Sequence, residues 1–86
     1  MDRKEALKER LEKYFSGIRI EEEEVEVGFW LDLFFESGRQ HSVNFDRFDK
    51  YKIHLNCNHE DGFGSGADKE CFTALGVVAF LKKHSK

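Results

Sequence analysis

The sequence predicts an α+β domain: an N-terminal helix, an antiparallel sheet of three to four strands and a C-terminal helix (α-β-β-β-β-α), in two layers with both helices on one face. Three observations predict it. Apolar residues recur at helical spacing near both ends of the chain, and between them the period changes to two. The links between the period-two runs are mostly short, whereas parallel strands need crossovers of a dozen or more residues. A length of 86 residues fits one domain over residues 1–86, and nine Phe, two Tyr and one Trp supply large buried area for so small a core.

The first helix is expected over residues 3–16. Asp2 followed by Glu5 fits a capping box, and Leu7, Leu11, Tyr14 and Phe15 fall at i, i+4, i+7 and i+8. Gly17 suits the left-handed position that ends a helix. From Ile18 the alternation begins, with Ile18 and Ile20 on one parity and Val25, Val27, Phe29, Leu31, Leu33 and Phe35 on the other. A change of parity flips every side chain, so a turn or bulge is expected near Glu21–Glu24, between a short first strand and a long second one. Glu36-Ser37-Gly38-Arg39 reads as the next turn, followed by a third strand near Gln40–Phe45 with His41, Val43 and Phe45 inward. Tyr51, Ile53, Leu55 and Cys57 alternate with polar residues as a fourth strand. Residues 58–66 read as a glycine-rich loop, and the second helix is placed over Asp68–Lys83. Ser65 or Asp68 would cap it, with a stripe of Cys71, Ala74, Leu75, Val78 and Leu81 widened by Phe72, Ala79 and Phe80.

With odd-numbered residues of the second strand claimed by the core, Trp30, Asp32 and Phe34 are expected on the opposite, open face of the sheet. Trp and Phe four residues apart, two places along one ridge, form the kind of anchor that interfaces use, so this face is read as a partner or self-association surface. The alternative is that the 58–66 loop or a terminus folds over it, and base stacking is disfavoured by the scarcity of cations on that face.

The charge is uneven. Charged residues are 36% of the chain, with 17 acids against 14 Lys and Arg for a net charge of −3. Residues 1–26 carry nine acids and six bases, a balance of −3, while residues 27–86 carry eight of each. The excess lies in Glu21, Glu22, Glu23, Glu24 and Glu26. Such a run is a solvated turn or a recognition element for a basic partner, and the balance lacks the positive excess of general nucleic-acid binders.

Two cysteines are too few for a disulfide framework, and the N-terminus lacks the apolar stretch of a signal peptide, so a cytoplasmic protein with reduced, buried Cys57 and Cys71 is expected. His54, Cys57, His59 and Cys71 hold the right atoms for zinc, but strand parity puts His54 and Cys57 on opposite faces, and no metal or other cofactor is expected. Asn56, Asn58 and Glu60 begin like a calcium loop that no glutamate closes. Gly62–Gly66 before a helix is a weak anion-binding signal without the Lys-Ser/Thr of a phosphate loop. No nucleophile and base share a local motif, so no enzyme is expected.

Gly62-x-Gly64 followed by the helix placed at Asp68–Lys83, after a sheet and an N-terminal helix, resembles the order of a double-stranded-RNA-binding domain. That family's second helix opens with phosphate-gripping lysines. Here the stretch reads Gly66-Ala67-Asp68-Lys69-Glu70, one lysine between two acids, so the resemblance is one of architecture. The functional expectation is a non-enzymatic protein-binding module, an inhibitor or antagonist of the kind made by phages or encoded beside toxins. It would use the acidic block and the sheet aromatics, with an atypical, non-basic nucleic-acid-binding domain as the alternative.

Overall fold

The computed structural model describes residues 3–26, 28–45, 50–57 and 66–84. Helix α1 (Arg3–Tyr14) is followed by strands β1 (Arg19–Glu23), β2 (Phe29–Phe34), β3 (Gln40–Phe45), β4 (Tyr51–Leu55) and β5 (Lys69–Cys71), then helix α2 (Ala74–His84). The five strands form one sheet in sequence order, each antiparallel to the next. The α+β reading therefore holds, with five strands where three to four were expected.

Leu7 and Leu11, one helical turn apart on α1, meet Val77, Val78 and Leu81 of α2 and the sheet residues Leu31, Leu33, Val43, Tyr51 and Ile53 in a single cluster. Both helices thus cover the face to which odd-numbered β2 residues point. Burial on this scale, at about 25 cal/mol per Å2 of apolar surface, is the main term holding the domain together. The α1 C-terminus turns at Gly17, whose φ of 76° is left-handed and where an added Cβ would stand 2.8 Å from the Glu36 carboxylate. Asp2, the expected capping residue, lies outside the described residues.

Two boundaries differ from the sequence reading. Glu21, Glu22 and Glu23 lie in β1, paired with Asp32, Leu31 and Trp30, and the reversal falls after them. Ile20 and Glu22 thereby share the helix-facing side. A carboxylate is tolerated there because Lys4 and Lys8, adjacent on one face of α1, reach Glu22 at 3.1 and 2.5 Å.

The second helix starts six residues later than expected. Lys69–Cys71 extend beside Tyr51–Ile53, Asp68 N–H donates to Ile53 O at 2.8 Å, and Asp68 Oδ2 accepts from Leu55 N–H at 2.7 Å. Asp68 therefore ties β4 to β5, and the cap is Thr73, whose Oγ1 accepts from Gly76 N–H at 3.0 Å. Cys71, Ala74, Val78 and Leu81 fit helical spacing by coincidence of a strand with the helix that follows it. Phe72 and Leu75, assigned to the buried stripe, are exposed, and Ala79 is exposed as well.

Candidate functional site

The register sorts the polar side chains of the sheet. On the side away from the helices, Glu21, Asp32, Ser42 and His54 form one row across β1 to β4, and Glu23, Trp30, Asn44, Lys52 and Glu70 form the next across all five strands. The centre of this face is closed. Trp30, Asp32, Ser42 and His54 are 2, 3, 0 and 4% exposed.

This overturns the expectation that Trp30 and Asp32 stand on an open surface. Alternation correctly puts them opposite the helices, but facing away from one layer does not make a side chain solvent-exposed. The Trp30 ring stacks on His54 at 5.0 Å between centroids, and its Nε1–H donates to Asp32 Oδ1 at 3.1 Å. Phe34, the second expected anchor, is half-buried, with the Arg19 guanidinium 4.3 Å from its ring centre.

His54 Nε2 lies 2.7 Å from Asn44 Oδ1, an arrangement in which the ring donates and the amide oxygen accepts. Burial, the largest influence, holds the His54 pKa below its ordinary 6.5, with Asp68 pulling up and Lys52 down. Ser42 Oγ, between Asp32 and His54, is fully buried and has no hydrogen-bond partner among the described residues. Aspartate, serine and histidine stand here in an order that does not serve a catalytic triad, where the imidazole sits between the other two. Short-range motif reading passes over this row because its members lie on three strands, 10 and 12 positions apart, and only the register joins them.

The acidic block divides into three environments. Glu22 is engaged by Lys4 and Lys8, whose bonds hold its carboxyl below the usual carboxylate range, while the same pairing raises Lys8. Glu21 lies 3.5 Å from Arg19 and is exposed; Glu23 is half-buried. Glu24 and Glu26, in the link from β1 to β2, are exposed and form no ion pair among the described residues. Beside them a groove of about 560 Å3 is lined by Lys4, Glu22, Glu23, Glu24, Val25, Gly28 and Phe29. Gly28, at φ 77°, lets the chain enter β2 in a conformation that a side chain would resist. Strand β1 is an outer strand of the described sheet, so the block runs along an edge.

Two of the residues weighed for zinc, His54 and Cys71, stand on opposite sides of the sheet. His54 is on the face away from the helices, Cys71 is in the helix-side core, and His59 lies outside the described residues. Cys71 is buried, and burial pushes its thiol pKa up; Cys57, expected in the core, is half-buried. Of the glycine-rich loop and the calcium-like stretch, residues 58–65 lie outside the described residues. No described helix is long and apolar enough to cross a membrane. No protein-family model matches the chain, and no curated protein or solved structure matches it either.

Proposed function

We propose that this domain is a non-enzymatic protein-binding module, acting as an inhibitor or antagonist, that meets a partner with a basic surface along the acidic edge of its sheet. The observation that carries the reading is the position of β1: an outer strand whose acids continue into exposed Glu24 and Glu26. An edge strand offers main-chain donors and acceptors to an incoming strand, and charges along it exclude partners of like charge. Basic side chains on the partner would be steered to Glu21, Glu23, Glu24 and Glu26, while Glu22 remains with α1. Trp30 is withdrawn from the contact by its burial, and with it the anchor for self-association through the sheet face.

The test begins with a partner captured from the native host and identified by mass spectrometry. Its association is then timed against wild type and a Glu21→Gln, Glu23→Gln, Glu24→Gln, Glu26→Gln variant across a range of salt. Slower association with a flatter salt dependence supports the reading. Association as fast as wild type at low salt removes the acidic edge from the interface.

A further inference from the structure

His41 lies on the helix-facing side of β3, 1% exposed, in a row with Leu33 of β2 and Leu55 of β4. Both ring nitrogens are engaged by main-chain groups from other parts of the fold. Asn56 N–H donates to Nδ1 at 2.9 Å, and Nε2 lies 3.1 Å from the carbonyl oxygen of His84. A main-chain amide has only a proton to give and a carbonyl only lone pairs, so the partners dictate the tautomer: Nδ1 bare and accepting, Nε2 protonated and donating. Neither partner can be exchanged by flipping a side-chain amide.

The imidazolium form carries protons on both nitrogens. Taking up the second proton would set an Nδ1–H against the Asn56 N–H, replacing a bond with two opposed donors beside a buried ring. The full pair of contacts is therefore available only to the neutral ring, although the bond to His84 survives protonation. The pair joins three elements that otherwise have separate ends: β3, the residue just past β4, and the last turn of α2. Asn56 turns the chain at φ 57°, a left-handed conformation that asparagine adopts more readily than most residues, and its amide meets the ring.

We propose that His41 is an acid-sensitive latch, whose protonation releases the β4 exit at Asn56 while the bond to the His84 carbonyl and the centre of the sheet stay in place.

The surroundings divide, and those that oppose the charge prevail. β2 presents Leu33 and, just beyond its end, the Phe35 ring at 5.4 Å, neither of which can stabilise a cation as a carboxylate would. Arg39, next to β3, and His84 of α2 disfavour a second positive charge. Asp68, between β4 and β5, is the acid that favours it, and its Oδ2 is already committed to the Leu55 amide. Burial is the largest influence and holds the His41 pKa below its ordinary 6.5, against the bond to the His84 carbonyl, which pulls it up. With Asn56 released, water reaches Nδ1 and the ring moves toward its ordinary value. Between the two values the open population then rises by up to about tenfold for each pH unit of acidification.

The experiment uses the whole chain and two readouts. Nitrogen NMR of the His41 ring at neutral pH reports the tautomer directly, and an Nδ1–H form there would overturn the proposal without any variant. Amide hydrogen exchange, corrected for the intrinsic effect of pH, is then followed from about pH 7.5 to 5.5, the range in which histidine titrates. Protection should fall at Asn56 before it falls in residues Leu81–His84 or at Leu31 and Val43. In His41→Asn, whose Oδ1 can still accept from Asn56 but does not titrate, that selective loss should vanish; its persistence there would overturn the proposal. If His41→Asn does not fold, His54→Gln separates the two buried histidines, since the latch should still open in that variant. A His41 ring that titrates at its ordinary value with Asn56 protection unchanged would also overturn it.

Discussion

On the helix side of the sheet, Leu31, Val43 and Ile53 form a row across three strands in which every side chain is apolar and none is exposed. One register step away, on the far side, Asp32, Ser42 and His54 form a row that is almost as buried and entirely polar. The two rows are held by different physics. The first needs only shape and the removal of apolar surface from water, and tolerates exchange among residues of similar volume. The second must find a hydrogen-bond partner for each polar atom, because an unpaired buried group costs about 1–3 kcal/mol. Asp32 and His54 meet that demand through Trp30 and Asn44, and Ser42 does not among the described residues. Burial is therefore a poor guide to which face of this sheet is the hydrophobic core.

The sharpest challenge to that contrast is truncation on each face. Trp30→Ala should cost about 3–5 kcal/mol and Leu31→Ala about 2–5 kcal/mol in chemical denaturation, because both remove a fully enclosed side chain. A loss below about 1 kcal/mol for Trp30→Ala would mean that the far face contributes no second core, and would return Trp30 to the list of surface contacts.

A second effect follows from the histidines, one on each face. His41 and His54 both have pKa values lowered by burial from 6.5, so as pH falls through 6.5 the unfolded chain takes up protons that the folded chain refuses. The stability these neutral rings contribute is present above 6.5 and is lost as pH falls toward their folded values. The slope in that interval should reach at most about 1.4 kcal/mol per pH unit for each ring. Denaturation midpoints measured from pH 8 downward should stay level at first and then drop before the carboxylates titrate. A midpoint that stays level into the carboxylate range would show that both rings accept protons in the fold.

A smaller effect separates the rows by sign. Ser42→Ala removes a hydroxyl that is buried without a partner, and should leave stability unchanged or raise it by up to about 1 kcal/mol. Val43→Ala, its neighbour on the other face, should lower stability, since it deletes methyl groups from a filled core. A loss above about 2 kcal/mol for Ser42→Ala would show that the hydroxyl is bonded after all.

The smallest effect belongs to the margin. Glu22→Gln breaks the contacts with Lys4 and Lys8 on the solvent-facing border of α1 and should cost under about 1 kcal/mol, less in high salt. A larger, salt-independent loss in the melt would make Glu22 part of the core instead of its rim.

Much of this architecture was legible in the sequence, because it depends on periods that local geometry imposes. Leu7 and Leu11 recur at the pitch of a helix, and Leu31 and Leu33 at the pitch of a strand, so the elements and the side facing the helices follow from spacing alone. His41 was placed inward by the same alternation, and Gly17 at a helix end by its freedom to adopt a left-handed φ. Tertiary structure decided what spacing leaves open. Whether Lys69–Cys71 begin a helix or close a sheet depended on a free edge at β4, which a local pattern does not reveal. Whether Glu21–Glu23 turn or extend depended on Lys4 and Lys8 arriving from α1. The polar row and the two bonds of His41 depend on register between strands distant in sequence, and on a carbonyl 43 residues away. Alternation assigns a side chain to a face; only the assembled chain determines what that face meets.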